Sequence, residues 1–563
     1  MRCLRRLLRA WRAAQVELQG EYSIERLYKL RTYAKSTSYT RIALVLVLTA
    51  LPSLVFAMLL ECIPLRAPSD GLSQSLMFWV RTFLVAAESG FVVLQQCRYL
   101  LPKLPTSHTQ ILATSLLIGL CAACVTFGFA SVVGYPLPFT LLWGSPVMVM
   151  LLAANAVIFW GGFLRENKTE RQDLVNYFLV MGLQMTMIYV YPAYAYLYHR
   201  LGVAYRALAA LLLPIIKLTM KNALGYVFRD KPDLRPDVVV FNVEVYQALF
   251  ISWCLNGSTT KLAVISLMVT DFCEAAVALH DVSGLLARLT RSCRAQTVSK
   301  VRTASITGST NNGTSLFSPT ESIPRQQRID ILEFAVATLE GKRHACYNTR
   351  TKSGVASASK ISKNAIVPLP ESTALSGKYE TLKLAPILPP SGLCTRATSS
   401  TAISPEIGGR DRRFLHLALQ LLHLTEFLLL IEFVELIIPA IYCASSHWSY
   451  YPRRLPNRVY QSDLRDLSED ELHANLASML VYSLLELISF LVLAYLLQRK
   501  MGMSALHQLA FVLESQWQLV QSKLLLWIVF SVQTPLEHYG IDFSFQFAWL
   551  EAANATISGG TGH

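Results

Sequence analysis

A pattern of histidine and carboxylate side chains marks the apolar segment Phe414–Tyr442. On a helix, at about 100° per residue, His416, His423 and Glu426 fall within about 80° of one another. Imidazole titrates near neutrality and a carboxylate can exchange protons with it, so this face could relay protons or bind a divalent metal. The alternative is structural, because His416 follows two arginines and would then lie at the membrane interface.

Other apolar segments also contain ionisable residues, which are costly in lipid and often functional. These further candidates are Arg81, Glu88, Lys217, Lys221, Asp271, Glu274, Glu432 and Glu486. Arg81 and Glu88 share a helical face but lie about 10 Å apart along the axis, so each needs a partner elsewhere. The two lysines form a cationic face one turn apart, and Asp271 with Glu274 forms an acidic face. An interhelical network between these two faces is expected.

The elements that must position these residues are long apolar runs. The chain has 563 residues, of which 53% are hydrophobic and 16% are charged, with a mean hydropathy of +0.38. The apolar runs of about 18 to 25 residues match the roughly 20 residues that a helix needs to cross a bilayer. A soluble fold would have to bury every one of these runs. We predict eleven transmembrane helices, with ten as the alternative count. The predicted segments are Arg41–Leu60, Leu72–Leu94, Ile111–Gly134, Phe139–Leu164, Leu174–Tyr198, Ala207–Phe228, Val239–Leu255, Leu262–Leu279, Phe414–Tyr442, Leu476–Leu497 and Leu509–Val532.

A polar insert, residues 282–413, separates the eighth predicted helix from the ninth. It holds nineteen Lys and Arg against eight acidic residues and is rich in Ser, Thr and Pro. Residues 324–340 predict one short helix that docks on the membrane or the bundle, and the rest lacks the periodicity of a core, which predicts disorder. Phosphorylation of the insert would cancel basic charge and detach it from lipid. The candidate phosphorylation sites are Ser305, Ser318, Ser353 and Ser404.

The distribution of Lys and Arg predicts the topology. Ten basic residues precede residue 42, whereas none follows Val532, so we expect a cytosolic N-terminus and insert and an extracytosolic tail with a candidate glycosylation site at Asn554. Residues 1–40 predict a basic amphipathic segment on anionic lipid, with a mitochondrial presequence as the alternative. The net charge of +14 therefore indicates cytosolic membrane faces rather than a nucleic-acid partner.

Small residues at four-residue spacing, Ser115, Gly119 and Ala123, predict close helix packing in the third predicted segment. The eleven cysteines form no disulfide or zinc pattern. The sequence contains no phosphate-binding glycine loop, zinc-protease helix or serine nucleophile motif. We therefore predict no cofactor and no metal, and the interpretation leans away from an enzyme.

The predicted fold is an all-α polytopic membrane protein with a large cytosolic loop. Its expected parts are a basic N-terminal segment (1–40), a first bundle of about eight helices (41–281), the insert (282–413), a second bundle of about three helices (414–532) and a tail (533–563). Its expected membrane is the plasma membrane or an endomembrane. The first functional hypothesis is a transporter or channel-like protein, and the alternative is a receptor or scaffold whose phosphorylated insert recruits a cytosolic partner.

Overall fold

The computed structural model describes residues 15–201, 212–250, 273–292, 331–339, 409–450, 456–465 and 467–541. Helices dominate these ranges, and they contain no β-strand. The helices are α1 Ile24–Ser36, α2 Tyr39–Glu61, α3 Leu76–Leu100, α4 His108–Val133, α5 Thr140–Glu166, α6 Lys168–Arg200, α7 Leu212–Val227, α8 Arg235–Val239, α9 Ile331–Leu339, α10 Gly409–Tyr450, α11 Glu469–Met501, α12 Ala505–Ser515 and α13 Trp517–Gln533. A π-helical turn, Val240–Glu244, continues α8 and leads into helical residues 245–250. Residues 273–292 are also helical.

Seven of these helices, α2 to α6 together with α10 and α11, are long and apolar enough to cross a membrane. They correspond to the first five, the ninth and the tenth of the predicted segments. The sixth corresponds to the 16-residue helix α7, and the eleventh is two helices, α12 and α13, that meet at Gln516. The eighth lies mostly outside the described residues. Helical residues 273–292 pass its predicted end at Leu279, and the buried side chains of Val282 and Leu286 bind this helix to the core.

Local sequence sets the starts of several helices. The hydroxyls of Ser23, Ser38 and Ser107 accept hydrogen bonds from backbone N–H groups in the first turns of α1, α2 and α4. Ser468 forms a reciprocal capping box with Glu471 at the start of α11. After α11 the chain turns sharply at Gly502, which has a φ of 70° that a side chain would disfavour.

Large apolar side chains cover the outer faces of α2, α4, α5 and α11. The exposed set includes Leu44, Val47, Leu48, Leu51, Leu112, Leu116, Leu117, Leu120, Met150, Val157, Ile158, Phe159, Leu480, Leu484, Ile488 and Leu491. Contiguous apolar surface on this scale is rare on soluble monomers. These faces, together with the span lengths, are compatible with an integral membrane protein.

The bundle has two distinct ends. We call the end where α2 begins, which contains α1, α9 and α12, the proximal end, and the end where α2 finishes the distal end. At the distal end, the Asn457 amide donates to the backbone carbonyls of Glu61 and Ile63 at 2.8 and 2.7 Å. The Phe139 N–H also donates to the carbonyl of Gly540 at 3.0 Å. These bonds connect the loops after α2, α4, α10 and α13.

Helices α3 and α4 pack closely at Gly119. A Cβ placed on this glycine would lie 2.7 Å from the Cβ of Ala87 and 2.8 Å from the carbonyl oxygen of Phe83, so a larger residue would force the helices apart. Ser115 is buried one turn earlier, and Ala123 is half-buried one turn later. This is the close backbone approach that small residues permit between helices in lipid.

Candidate functional site

A single helix runs through the middle of the bundle. Residues 235–250, which we call the central helix, start at the proximal end, and residues 235–249 are all buried. Beyond Arg235 at its start, this helix nevertheless carries the buried polar side chains Asp237, Asn242, Glu244 and Gln247. Its π-helical turn is of a kind that often occurs at functional sites. Because unpaired polar groups are costly inside a protein, the partners of these four side chains define the site.

Two of the four side chains bind α6. The side-chain amide of Gln184 donates to the amide oxygen of Asn242, and the Tyr191 hydroxyl donates to Gln247 at 3.0 Å. The ring of Tyr191 also packs against Tyr246 in an edge-to-face contact with centroids 5.0 Å apart. The polar side of the central helix therefore faces α6 over this stretch.

Glu244 is the centre of a cluster with the lysines of α7. The Lys217 Nζ lies 3.0 Å from Glu244, 2.9 Å from Glu274 and 3.7 Å from Glu435. The Lys221 Nζ forms ion pairs with Glu244 and, at 2.9 Å, with Glu17. The expected contact between the α7 lysines and Glu274 is therefore present, but the central carboxylate is Glu244. The other acid of that face, Asp271, lies outside the described residues.

A second cluster surrounds Glu426 in α10. The Arg26 guanidinium donates to its two carboxylate oxygens, with Nη2 at 2.7 Å and Nε at 3.2 Å. The Tyr22 hydroxyl also donates to Glu426. Asp237 of the central helix lies 3.9 Å from Arg26, so this one cation faces two buried carboxylates. The Gln508 amide of α12 completes the cluster by donating to the Tyr22 oxygen at 3.1 Å.

We call the four polar side chains of the central helix and these two clusters the polar axis. Helix α10 has 42 residues and is about 63 Å long, twice the hydrocarbon thickness, so about half of it can lie outside the lipid. The end of the polar axis that contains Glu426 therefore does not need to lie in lipid. The half of α10 that holds Glu426 contacts α1 through Arg26 and α12 through Gln508. The other half packs against α11, where Tyr442 and Cys443 contact Met479 and Tyr482. The polar axis therefore runs from the proximal end into the bundle.

The histidines of α10 do not form the face expected from their spacing. His416 is half-exposed and bonds Glu21, whereas the ring of His423 is fully buried and packs edge-to-face on Phe427. Neither ring nitrogen of His423 has a hydrogen-bond partner within the structure. Gly20 lies directly against this ring. Among the described residues, no three His, Cys, Asp or Glu side chains are grouped to hold a metal ion.

The remaining intramembrane candidates lie in separate places. Arg81 forms an ion pair with Glu61 near the distal end and donates to Gln533 at 2.6 Å. Glu88 is buried beside the hydroxyl of Ser89 at 3.5 Å. The Ser489 hydroxyl donates to Glu432 at 3.0 Å, and Glu486 is buried on the same helix, α11. The candidate phosphorylation sites and Asn554 lie outside the described residues.

The proximal end also carries the short insert helix α9. Its Glu333 accepts hydrogen bonds from Arg31 at 2.7 and 3.1 Å and forms an ion pair with Lys35 at 2.7 Å. The hydrogen bonds from Arg31 hold the pKa of Glu333 below its ordinary value. Phe334 packs edge-to-face on Phe414 at the start of α10, with centroids 4.6 Å apart. One short helix thus joins the insert to both α1 and α10.

Sequence reasoning missed several residues of these clusters. Glu244 lay inside the seventh predicted segment, so the signal of a charge in an apolar run was present. Lys523 gave the same signal in the eleventh segment. It is 1% exposed, and its Nζ has no hydrogen-bond partner in the structure. Tyr22 and Arg26 gave no such signal, because they precede the first apolar run and resemble an ordinary polar leader.

Comparison with known proteins identifies no relative: no family model, no curated protein and no solved structure matches this chain. The functional argument therefore depends on the geometry of the polar axis alone. That geometry offers two clusters of carboxylates and cations, with buried amides on the central helix, within an otherwise apolar bundle. Such groups can exchange protons or replace the hydration shell of a polar solute.

Proposed function

We propose that the protein is a multi-pass transporter or channel-like protein in which the polar axis is the path of an ion or a proton. The supporting observation is that a helix buried on every side carries Asp237, Asn242 and Glu244. Ionisable groups are expensive inside membranes, and they mark ion pathways and proton relays where they persist. The π-helical turn at Val240–Glu244 adds to this, because irregular backbone at such depth is tolerated where protein or a cavity surrounds it.

In this proposal the proximal end faces the cytosol and the tail after residue 541 is extracytosolic, in the plasma membrane or an endomembrane. The basic residues before α2 and in the insert 282–413 support this orientation. The same residues would contact anionic lipid on the cytosolic leaflet. The count of eleven helices remains part of the proposal, with α7, the central helix and α13 as the shorter members.

A flux assay on purified protein in liposomes tests the path. The probes are protons, followed with an entrapped pH dye, and K⁺, Na⁺ and Cl⁻ gradients with matching dyes. We expect flux of at least one of these ions above that of empty liposomes, and a loss of at least tenfold in Glu244→Gln. The matched control is Glu25→Gln, since Glu25 is exposed and pairs only locally with Lys29.

Two results would contradict the proposal. One is a folded, monodisperse Glu244→Gln protein that carries the same flux as the native chain. The other is the absence of flux for every ion tested, with protein of either orientation present in the liposomes.

A second candidate function, a receptor or scaffold, is supported by the docking of α9. Glu333 and Phe334 connect the insert to α1 and α10, so a partner or phosphate on the insert would change contacts of the bundle. Cells expressing the full chain or a chain without residues 300–405 can be compared by cross-linking. A scaffold requires that the cytosolic proteins cross-linked to the full chain disappear with the deletion, and their survival would refute it.

A further inference from the structure

The segment Val16–Tyr22, which we call the cap, precedes α1 and buries both of its ends in the bundle, while Gln19 between them is exposed. Val16 and Tyr22 are each 1% exposed. Between them the chain forms a single 3-10 turn, Val16–Gln19, followed by extended residues. The cap is therefore a short piece of chain at the proximal end that has little secondary structure of its own.

Four residues of the cap contact the polar axis or its immediate surroundings. Glu17 pairs with Lys221 at 2.9 Å, and the Gln19 carbonyl accepts from Arg235 at 3.3 Å. Gly20 covers the ring of His423. Tyr22 bonds Glu426 through its hydroxyl, and its backbone N–H donates to the Leu419 carbonyl at 3.3 Å. The cap therefore touches α7, the central helix and α10 at once.

Two glycines permit this seating. A Cβ on Gly20 would overlap the ring of His423, so even alanine cannot fit there without displacement. On the opposite side, a Cβ on Gly225 of α7 would lie 2.9 Å from both methyl groups of Val16. The cap is thus complementary in shape to its site, and a Cβ added at either glycine would require the cap or its neighbour to shift.

We infer that the cap is a detachable, autoinhibitory segment that closes the proximal entrance to the polar axis. Its anchors on the axis are mostly ion pairs and hydrogen bonds, which water can replace when the segment withdraws. Withdrawal would bring water to His423, Glu426 and Asp237 and would leave Lys221 paired with Glu244. The inference depends on the proposed transport function only for its effect on flux.

Thiol labelling of Val16→Cys tests whether the cap detaches, with the parent chain as the background for the native cysteines. We expect slow labelling with a maleimide under native conditions. Adding Gly20→Ala to Val16→Cys should raise the rate of maleimide labelling at least tenfold. Adding His423→Ala to that double variant removes the ring that the new methyl group meets, and it should restore slow labelling. Gly182→Ala is the matched control, because a Cβ there meets nothing within 4 Å.

A disulfide can also lock the cap in place. A Cβ on Gly225 would lie 3.5 Å from the Cβ of Val16, within the range of about 3.5–4.5 Å found in disulfides. Oxidised Val16→Cys/Gly225→Cys should therefore cross-link and lose maleimide reactivity. If the protein carries flux, the oxidised form should carry at least fivefold less than the reduced form.

Several outcomes would overturn the inference, and they are independent of the transport proposal because labelling needs no flux. One is that Val16→Cys reacts as fast as an exposed cysteine in the otherwise native chain. Another is that, with or without Gly20→Ala, it reacts only at the denaturant concentration that unfolds the whole bundle. A third is equal flux in the cross-linked and reduced forms, which would refute gating, whereas a lack of all flux bears on the transport proposal alone.

Discussion

Replacing Arg26 by Met should destabilise the bundle more than replacing either of the carboxylates that it faces. The guanidinium is 8% exposed, forms two hydrogen bonds with Glu426 at 2.7 and 3.2 Å, and lies 3.9 Å from Asp237. Arg26→Met therefore leaves two buried carboxylates without this cation. Glu426→Gln, by contrast, keeps a carbonyl oxygen that can accept from Arg26 and leaves the contact with Asp237 intact.

The expected magnitudes follow from these contacts. Removing one partner of a buried ion pair costs about 3–5 kcal/mol, and Arg26→Met should lie at the upper end of that range. Glu426→Gln weakens charge-assisted hydrogen bonds without removing them and should cost about 1–3 kcal/mol. The difference between the two variants should therefore be about 2–4 kcal/mol. The triple variant Arg26→Met/Asp237→Asn/Glu426→Gln should recover at least half of the loss in Arg26→Met, since no unpaired charge remains.

The assay is urea unfolding in a mild detergent, followed by intrinsic fluorescence and by helical circular dichroism. Lys29→Met is the control for losing a basic residue from α1, because the Lys29 side chain is 65% exposed. The reasoning is wrong if Arg26→Met and Glu426→Gln lower the free energy of unfolding by the same amount. It is also wrong if the triple variant is no more stable than Arg26→Met.

Three further changes should give distinct results. Burial holds the pKa of His538 at about 4, below its ordinary 6.5. The neutral ring therefore contributes about 3 kcal/mol of stability above pH 6.5, and this contribution is lost as the pH falls towards 4. His538→Gln should remove this acid sensitivity in unfolding measurements, whereas replacement of the exposed His473 by Gln should not. Lys523→Met removes a buried ammonium for which the described residues provide no hydrogen-bond partner, and it should raise the free energy of unfolding by about 1–3 kcal/mol. A destabilised variant would show that the charge is compensated. Glu333→Arg places a third cation beside Arg31 and Lys35, so α9 should undock and limited proteolysis near residue 340 should accelerate. The double variant Arg31→Glu/Glu333→Arg should restore resistance to proteolysis.

The sequence was sufficient to predict the long helices, because the signal for each lies within about 25 consecutive residues. Segments such as Arg41–Leu60 and Ile111–Gly134 differ from α2 and α4 by only a few residues at each end. The eleventh segment shows where hydropathy alone is insufficient. Its apolar run continues across Gln516, but the Gln516 side chain donates to the Asp233 carbonyl, and the chain changes direction there between α12 and α13.

The site was harder to predict because its partners are far apart along the chain. Tyr22 and Glu426 are separated by 404 residues, and Lys221 and Glu17 by 204. A single sequence marks a buried charge as costly but does not identify the group that compensates it. The sequence therefore indicates Glu426 as a candidate, whereas Arg26, which pairs with it, lies in the predicted amphipathic segment 1–40. Only the three-dimensional contact shows that Arg26 is a buried partner of Glu426 and not an ordinary surface residue.

Helix α10 connects the two proposed roles of the protein, transport and recruitment by the insert. It starts at Gly409, within the last five residues of the predicted insert 282–413, and contacts α9 through Phe414 within its first two turns. The same helix carries Glu426, which binds the start of α1, and it then continues along the bundle to Tyr450. The docking of α9 and the position of Glu426 therefore depend on the same two helices, α1 and α10. In the proposed function, phosphate on the insert and ions in the polar axis would then both act on contacts of α10. Regulation of transport by the insert would need no contact beyond those of α9 with α10 and of Arg26 with Glu426.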